Sequence, residues 1–219
     1  MSKLKISNDT GTTAVPGRLF VLSAPSGAGK STLVQATIAQ TPGVIRSVTS
    51  TTRPPRPGEE DGRDYHFMAR EEFERRRDAS EFLESAFVHG HWYGTSRLDV
   101  ACLCGQGLDV LLVIDYQGAA SLRQQGIEAL YIFILPPSME ELEGRLRRRN
   151  SEEEGLLRHR LVVARQEMAQ YPFYDYVIVN DDLQTAVAKL QAIILAERCR
   201  VRRLKREHPI FSQIDGRRA

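Results

Sequence analysis

Long apolar runs are absent from this sequence, in which no stretch approaches the roughly 20 residues that a membrane-spanning helix needs. The first 17 residues, MSKLKISNDTGTTAVPG, also lack the apolar middle of a secretory signal, so we interpret them as a loose leader. We therefore expect a cytoplasmic protein with no membrane partner.

Cysteines are few as well. The three that are present are Cys102, Cys104 and Cys199, and their odd number and C-x-C spacing fit neither a disulfide framework nor a zinc site. We expect reduced cysteines with structural roles, in keeping with a cytosolic protein.

The sequence has no large excess of one charge, since 30 lysines and arginines face 28 aspartates and glutamates. A net charge of +2 does not by itself indicate binding to nucleic acid or to a membrane surface. The length of 219 residues and the hydrophobic content of 42% suit one compact α/β domain with inserted subdomains.

Short apolar runs in the sequence have the pattern of strands that are buried on both faces, at residues 18–23, 109–114, 130–135 and 175–180. Helical segments alternate with these runs, at residues 31–40, 116–125, 138–149 and about 153–170. This alternation predicts a parallel sheet flanked by helices.

Residues 50–100 interrupt the alternation. They contain the loop TTRPPRPGEEDG, short mixed segments and a charged helix near 70–78, which we interpret as an insertion at the carboxyl edge of the sheet. A second polar block, at 143–160, has the composition of a mobile cover. The last helix is expected to begin near Asp181 or Asp182 and to run into the basic segment RCRVRRLKREH.

The stretch SAPSGAGKST, residues 23–32, joins the first apolar run to a helix and resembles a phosphate-binding loop. Gly29, Lys30 and Ser31 fit the pattern G-x-x-x-x-G-K-[ST], whereas Ala24 stands at its first glycine. Backbone N–H groups at such a turn favour a bound phosphate, and the helix dipole adds to this preference. We predict that Lys30 reaches the β- and γ-phosphates and that the Ser31 hydroxyl is a ligand of Mg²⁺. The predicted ATP-binding residues of the loop are Ala24, Pro25, Ser26, Gly27, Ala28, Gly29, Lys30, Ser31 and Thr32.

A second phosphate site is indicated by SVTSTTRPPRPGEEDGRDYHF, residues 47–67. Arg53 and Arg56 lie on a proline-rich loop, and guanidinium groups suit bidentate contact with phosphate, although such a charged loop can also be merely solvated. The run T-T-R-x-x-R-x-G-E-x-x-G-x-x-Y, following the PSGAGKST loop, resembles the guanylate kinase family. The segments EFLESAFVHGHWYGTS, VIDYQG, FILPPS and YVIVNDDL extend the resemblance over about residues 18–197.

The resemblance implies that the protein transfers a phosphoryl group from MgATP to GMP. It also implies a P-loop NTPase-type α/β fold, in which helices flank a five-stranded parallel sheet that carries an inserted GMP-binding subdomain and a mobile LID. The implied division of the chain is a leader at 1–17, CORE segments at 18–49, 101–137 and 166–197, a GMP-binding subdomain at 50–100, a LID at 138–165 and a basic extension at 198–219.

Positions that match the family's motifs supply the implied GMP site. The residues for the GMP phosphate are Arg53, Arg56, Tyr65 and Tyr93. The residues for the guanine base are Glu84, Thr95 and Asp115, with Thr49 and Glu59 nearby. A carboxylate such as Glu84 can accept hydrogen bonds from N1–H and the 2-amino group of guanine, whereas adenine offers no such pair of donors on that edge.

The resemblance further implies that arginines of the LID close over the phosphates. The implied catalytic residues are Lys30, Arg53, Arg145, Arg149 and Arg160, and Asn180 is implied to contact the adenine of ATP. We expect the neighbouring arginines Arg147, Arg148 and Arg158 to be solvated.

The sequence departs from the family pattern in two places. Val113 stands where the family often has the first acid of LDID, so we predict that Ser31 is the only direct protein ligand of Mg²⁺. The segment RRRNSEEEG, which contains Arg149, stands where the family more often has a Gly-Arg-Gly turn.

Other functions stay open at this point. A guanylate-kinase-like interaction module without catalysis is opposed by the intact Gly29-Lys30-Ser31. Another nucleoside monophosphate kinase would differ at Glu84, Thr95 and Asp115. The basic tail at 198–206 can be a solvated helix extension, the surface for a neighbouring subunit of a homo-oligomer, or a nucleic-acid contact, which the low net charge does not favour.

Overall fold

The structure is a computed structural model that describes residues 16–88, 90–149, 154–201, 204 and 209–215. Almost all of the expected leader, the middle of the polar cover and most of the basic tail lie outside these residues. Helices in the described ranges are all too short or too polar to span a membrane.

The strands of the described chain are β1 (Leu19–Ser23), β2 (Val44–Arg46), β3 (Thr49–Thr51), β4 (Tyr65–Phe67), β5 (Phe82–Val88), β6 (His91–Ser96), β7 (Asp109–Val113), β8 (Leu130–Leu135) and β9 (Tyr176–Val179). Its helices are α1 (Lys30–Gln40), α2 (Arg70–Asp78), α3 (Arg97–Gly105), α4 (Tyr116–Gln124), α5 (Met139–Arg149), α6 (Glu154–Met168), α7 (Leu183–Arg198) and α8 (Pro209–Asp215).

The central sheet has five parallel strands in the order β2-β7-β1-β8-β9. Side chains of β1 alternate between two apolar layers, so that Phe20 and Leu22 pack with residues of α1 and α7. Val21 points to the opposite layer, which contains residues of α3 and α4. The predicted parallel sheet flanked by helices is therefore confirmed, and burial on both faces explains the continuous apolar runs of β1, β7 and β8. The prediction of burial on both faces is wrong for β9, because this strand lies at the edge of the sheet and three of its four residues are exposed.

The segment between β2 and α3 contributes a second sheet, in the order β4-β3-β6-β5. Helix α2 covers one face of this sheet with Phe73, whose ring stacks on Phe82 at a centroid distance of 4.5 Å. A Cβ on Gly94 of β6 would lie 2.9 Å from the Phe73 ring, so this close packing requires glycine. The opposite face of the sheet is left for other contacts.

Helix α7 begins where the sequence predicts, because Asp182 is its N-cap and accepts a hydrogen bond from the Thr185 N–H at 2.8 Å. The basic segment does not continue this helix without a break, since α7 ends at Arg198, the first residue of that segment, with Cys199 as its C-cap. Helical backbone returns at Val201 and Leu204. Tertiary contacts of the last turn fix this end. Arg198 donates from Nη2 to the Pro42 carbonyl at 2.9 Å and from Nε to Asp109 at 2.8 Å.

A network of charged groups ties the end of α7 to the amino edge of the sheet. Asp109 is completely buried, and its other oxygen accepts from the Arg18 N–H at 2.9 Å. Glu197 is also buried and pairs with Arg18 and with Arg200. A buried carboxylate is costly unless it is paired, so the network makes the position of α7 depend on Arg198.

We predict that Arg198→Met lowers the free energy of unfolding by about 2 kcal/mol, because Asp109 loses a charged hydrogen-bond donor in a buried site. Urea denaturation at neutral pH measures this loss. The control is Arg70→Met, which breaks an exposed ion pair on α2 and should cost less than about 1 kcal/mol. Equal losses in the two variants would contradict the prediction.

Candidate active site

A glycine-rich turn joins β1 to α1 at the carboxyl edge of the parallel sheet. Gly27 and Gly29 have φ values of 90° and 87°, in the left-handed region that glycine adopts freely. A Cβ on Gly29 would also lie 2.5 Å from the amide nitrogen of Asn180. Because the N-cap residue Gly29 has no side chain to accept from the first N–H groups of α1, these groups stay available to an anion.

Ala24 fits the first position of this loop without strain. Among the described non-glycine residues, only Ser80 has a positive φ, so this position does not require the left-handed conformation. The Ala24 side chain packs against the apolar layer next to β1. The alanine therefore leaves the loop geometry intact.

Lys30 is half-buried at the start of α1, and its Nζ donates to the Ile114 carbonyl at 3.0 Å. Burial lowers the pKa of Lys30 to about 8, while the carboxylates of Asp115 and Glu167 oppose this shift. A cation that is removed from water and held among acceptors is well placed to be stabilised further by phosphate.

The loop lines a cavity of about 220 Å³, which is also lined by Val88, Asp115 and Glu167. The Ser31 hydroxyl and the two carboxylates offer the oxygen ligands and water partners that Mg²⁺ prefers. Within the described ranges, no group of three or more His, Cys, Asp or Glu side chains could hold a metal ion. The donor set therefore fits a magnesium ion that is held mainly by nucleotide phosphates and water.

Helices α5 and α6 each bring an arginine to the loop. Arg145 donates to the carbonyls of Ala28 and Asn180 at 3.3 and 3.1 Å, and the Asn180 side chain donates to the same Ala28 carbonyl at 2.8 Å. Arg160 donates from Nη2 to the Ser26 hydroxyl at 3.0 Å. A second cavity, of about 340 Å³, is lined by Gly27, Gly29, Thr32, Arg145, Arg148, Asn180, Asp181 and Leu183. This cavity therefore lies between the loop and the guanidinium groups of α5.

The remaining arginines of α5 and α6 differ from these two. Arg147, Arg148 and Arg158 have mostly exposed side chains that pair with glutamates of the same two helices, as expected for solvated residues. Arg148 nevertheless also lines the 340 Å³ cavity. Arg149 is the last residue of α5, and its side chain lies outside the described residues.

The second sheet aligns five of the predicted acceptor residues. Glu84 of β5 lies opposite Thr95 of β6, Thr95 lies opposite Thr49 of β3, and Thr49 lies opposite Tyr65 of β4. Tyr93 is two residues from Thr95 on β6 and therefore faces the same side of the sheet. This is the face that α2 does not cover.

Glu84 is almost fully buried, and its Oε1 accepts from the Thr95 hydroxyl at 2.6 Å. A Cβ on Gly118 would lie 2.5 Å from Oε2, so α4 can approach this carboxyl only through a glycine. Asp115 is the N-cap of α4 and accepts from the Gly118 N–H at 2.8 Å. Burial raises the pKa of Glu84 to about 7, and the negative charge of Asp115 contributes in the same direction.

Arg53 is buried just beyond β3 and is held by Glu59. Its Nη2 lies 2.9 Å from both oxygens of the Glu59 carboxylate, which also accepts from the Arg56 N–H at 2.8 Å. The Arg53 guanidinium lies 5.3 Å from the ring centroid of Tyr65, and the rings of Tyr65 and Tyr93 are 6.0 Å apart. Glu59 therefore orients the arginine loop, and the side chain of Arg56 is exposed.

Sequence reasoning missed two residues of this site. Glu167 lines the smaller cavity and accepts from the Ser26 N–H at 3.3 Å. Its position seven residues after Arg160, on the same face of α6, is the signal that could have revealed it. Gly118 follows Asp115 by three residues, and its role depends on the packing of α4 against Glu84, which the sequence does not show.

The family model described as guanylate kinase matches residues 16–197. The chain belongs to the guanylate kinase family. A guanylate kinase of Alkalilimnicola ehrlichii is 49% identical over 199 residues, which cover 91% of this chain and 97% of that protein. A guanylate kinase of Ralstonia nicotianae is 49% identical over 193 residues, which cover 88% of this chain and 87% of that protein.

The crystal structure of guanylate kinase from Anaplasma phagocytophilum is similar to this fold, with a TM-score of 0.70 and 35% sequence identity. The similarity covers 90% of this chain and 97% of that chain. The match to the guanylate kinase family ends within α7, so the basic tail lies outside it.

We predict that Glu84 makes the stability of the protein depend on pH. Between its ordinary pKa of 4.5 and its folded-state pKa of about 7, Glu84 keeps its proton in the folded state but loses it on unfolding, so stability falls as the pH rises. Glu84→Gln removes this titration. The free energy of unfolding of the variant, minus that of the unmodified protein, should therefore rise by about 2 kcal/mol from pH 5 to pH 8. Urea denaturation at both pH values measures the difference.

The control for this prediction is Glu71→Gln, which changes the charge equally at an exposed position of α2. Its stability relative to the unmodified protein should stay constant between the two pH values. A Glu84→Gln variant whose relative stability is equally constant would show that Glu84 titrates in its ordinary range.

Proposed function

We propose that this protein catalyses the transfer of the γ-phosphoryl group of MgATP to GMP, which gives ADP and GDP. The observation that carries the proposal is the combination of a phosphate loop around Lys30 with an acceptor face around Glu84. Asp115 lies near both, because it lines the same cavity as Lys30 and accepts a hydrogen bond from Gly118, which abuts the Glu84 carboxyl.

The donor ATP is held by the loop at residues 24–32 in this proposal. The loop N–H groups and Lys30 contact its phosphates, and the 340 Å³ cavity that Asn180 lines receives its adenosine. Ser31 would be the protein ligand of the Mg²⁺ that accompanies ATP, and this ion would supply positive charge to the transferred group. Arg145 and Arg160 add positive charge at the same loop.

The acceptor GMP lies on the uncovered face of the second sheet. Guanine donates two N–H groups to Glu84, next to Thr95 and Asp115, and its phosphate meets Arg53 with Arg56, Tyr65 and Tyr93. Thr49 lies beside Thr95 in this face, and Glu59 keeps Arg53 oriented for bidentate contact with the phosphate. Phosphoryl transfer then needs alignment and charge neutralisation more than covalent help from the protein.

This function gives roles to the parts of the chain. We assign acceptor binding to residues 50–100 and closure over the phosphates to a LID at 138–165, to which Arg149 belongs. Because ATP and GMP are metabolites of the cytoplasm, we also place the enzyme there.

A coupled assay of ADP release tests the proposed function. With ATP and Mg²⁺, we expect turnover on GMP and a value of kcat/KM that is at least about 100-fold lower on AMP, because adenine leaves the Glu84 carboxylate without two donors. CMP and UMP serve as further comparisons. Equal rates on AMP and GMP, or the absence of turnover on GMP, would overturn the proposal.

We predict that Ser31→Ala raises the Mg²⁺ concentration for half-maximal rate by about tenfold, because the metal loses its direct protein ligand. The same coupled assay, run as a Mg²⁺ titration at saturating ATP and GMP, measures the shift. Ser121→Ala on α4 is the matched control and should leave the Mg²⁺ requirement unchanged. An unchanged requirement in Ser31→Ala would show that Ser31 is not a metal ligand.

A further inference from the structure

Helix α6 directs two side chains of opposite charge at the same residue of the phosphate loop. Arg160 donates to the hydroxyl of Ser26 at 3.0 Å, and the Ser26 N–H donates to Glu167 at 3.3 Å. A guanidinium complements a phosphate, whereas a carboxylate repels one. The presence of Glu167 at an anion-binding loop therefore calls for a physical reason.

The groups around Glu167 act on its charge in opposite directions. Burial raises the pKa of Glu167, while the Ser26 N–H and the Lys30 ammonium act in the opposite direction. Asp115 lines the same cavity, so two carboxylates and one ammonium lie around the space that the loop encloses.

This charge arrangement treats two forms of the same nucleotide differently. Metal-free ATP is a polyanion, and its phosphates would be repelled by both carboxylates. A divalent cation neutralises part of that charge, and the water molecules that it keeps can donate hydrogen bonds to carboxylates. The repulsion therefore acts mainly on the metal-free nucleotide.

We propose that Glu167 is a specificity-determining residue, which makes the donor site select metal-loaded ATP over metal-free ATP. The inference rests on the proposed function, since it concerns the donor of the same reaction. It gives α6 an acidic side chain at the phosphate cavity, whereas β7 ends at the uncharged Val113.

Isothermal titration calorimetry without GMP tests the inference. ATP is titrated in excess Mg²⁺ and again in EDTA, into the unmodified protein, Glu167→Gln and the control Glu71→Gln. We expect Glu167→Gln to narrow the ratio of the two affinities by about fivefold, chiefly because metal-free ATP binds more tightly. Glu71→Gln should leave the ratio unchanged.

Two outcomes would overturn the inference: an unchanged ratio in Glu167→Gln, or a ratio narrowed only by weaker binding of MgATP, which indicates a structural role. Glu167→Ala is measured in parallel, so that the conclusion does not depend on the folding of one variant, and its ratio should narrow as well. Turnover of GMP by the unmodified protein is recorded separately. An unchanged ratio in Glu167→Gln, together with turnover of GMP, would overturn the inference and leave the proposed function in place. A narrowed ratio without turnover of GMP would overturn the proposed function and leave the role of Glu167 in nucleotide binding in place.

Discussion

The partly desolvated ammonium of Lys30 is the constraint around which the rest of the structure is arranged. Its Nζ is held by the Ile114 carbonyl, just beyond β7, and it is balanced by Asp115 and Glu167. A cation in such a place is costly without partners, and the protein supplies only part of what water would give. In the proposed function, the phosphates of ATP supply the remainder. The segment after β7 contributes the Ile114 carbonyl and the Asp115 carboxylate to this ammonium group, and α6 contributes the Glu167 carboxylate.

Asp115 connects this cation to the second sheet. As the N-cap of α4 it is fixed by the Gly118 N–H, and its charge favours the ammonium of Lys30 while it opposes ionisation of Glu84. The Asp115 carboxylate thus acts to raise the pKa of both groups, which keeps Lys30 charged and Glu84 neutral. The backbone of α4 also links the two proposed sites, because Asp115 is its N-cap and its Gly118 packs directly against the Glu84 carboxyl.

The sequence is most informative where one short segment determines the structure. The apolar runs predict β1, β7 and β8 because these strands are buried on both faces, and the phosphate loop is recognisable because its glycines are local requirements. The run of β9 looks the same in the sequence, although this edge strand is mostly exposed. The second sheet is not predictable in the same way, since β3 and β4 are three residues long and mostly polar. The end of α7 and the contact of Glu167 with Ser26 depend on residues that are distant in sequence, which no local pattern encodes.

In the proposed acceptor site, selectivity for guanine would follow from the free energy that the free protein loses by burying Glu84. The carboxyl of Glu84, with a pKa of about 7, is poorly stabilised as a charge because it is buried. The Thr95 hydroxyl compensates only in part, and Asp115 repels the charge. Guanine brings two N–H donors to such a group and so favours its ionised form, whereas adenine would leave the cost in place. A more exposed or better-paired carboxylate would make the fold more stable and would distinguish the two bases less, since water or the partner would already satisfy it. In the proposed function, the burial of Glu84 behind Gly118 would therefore be the feature that converts a stability cost into discrimination between bases.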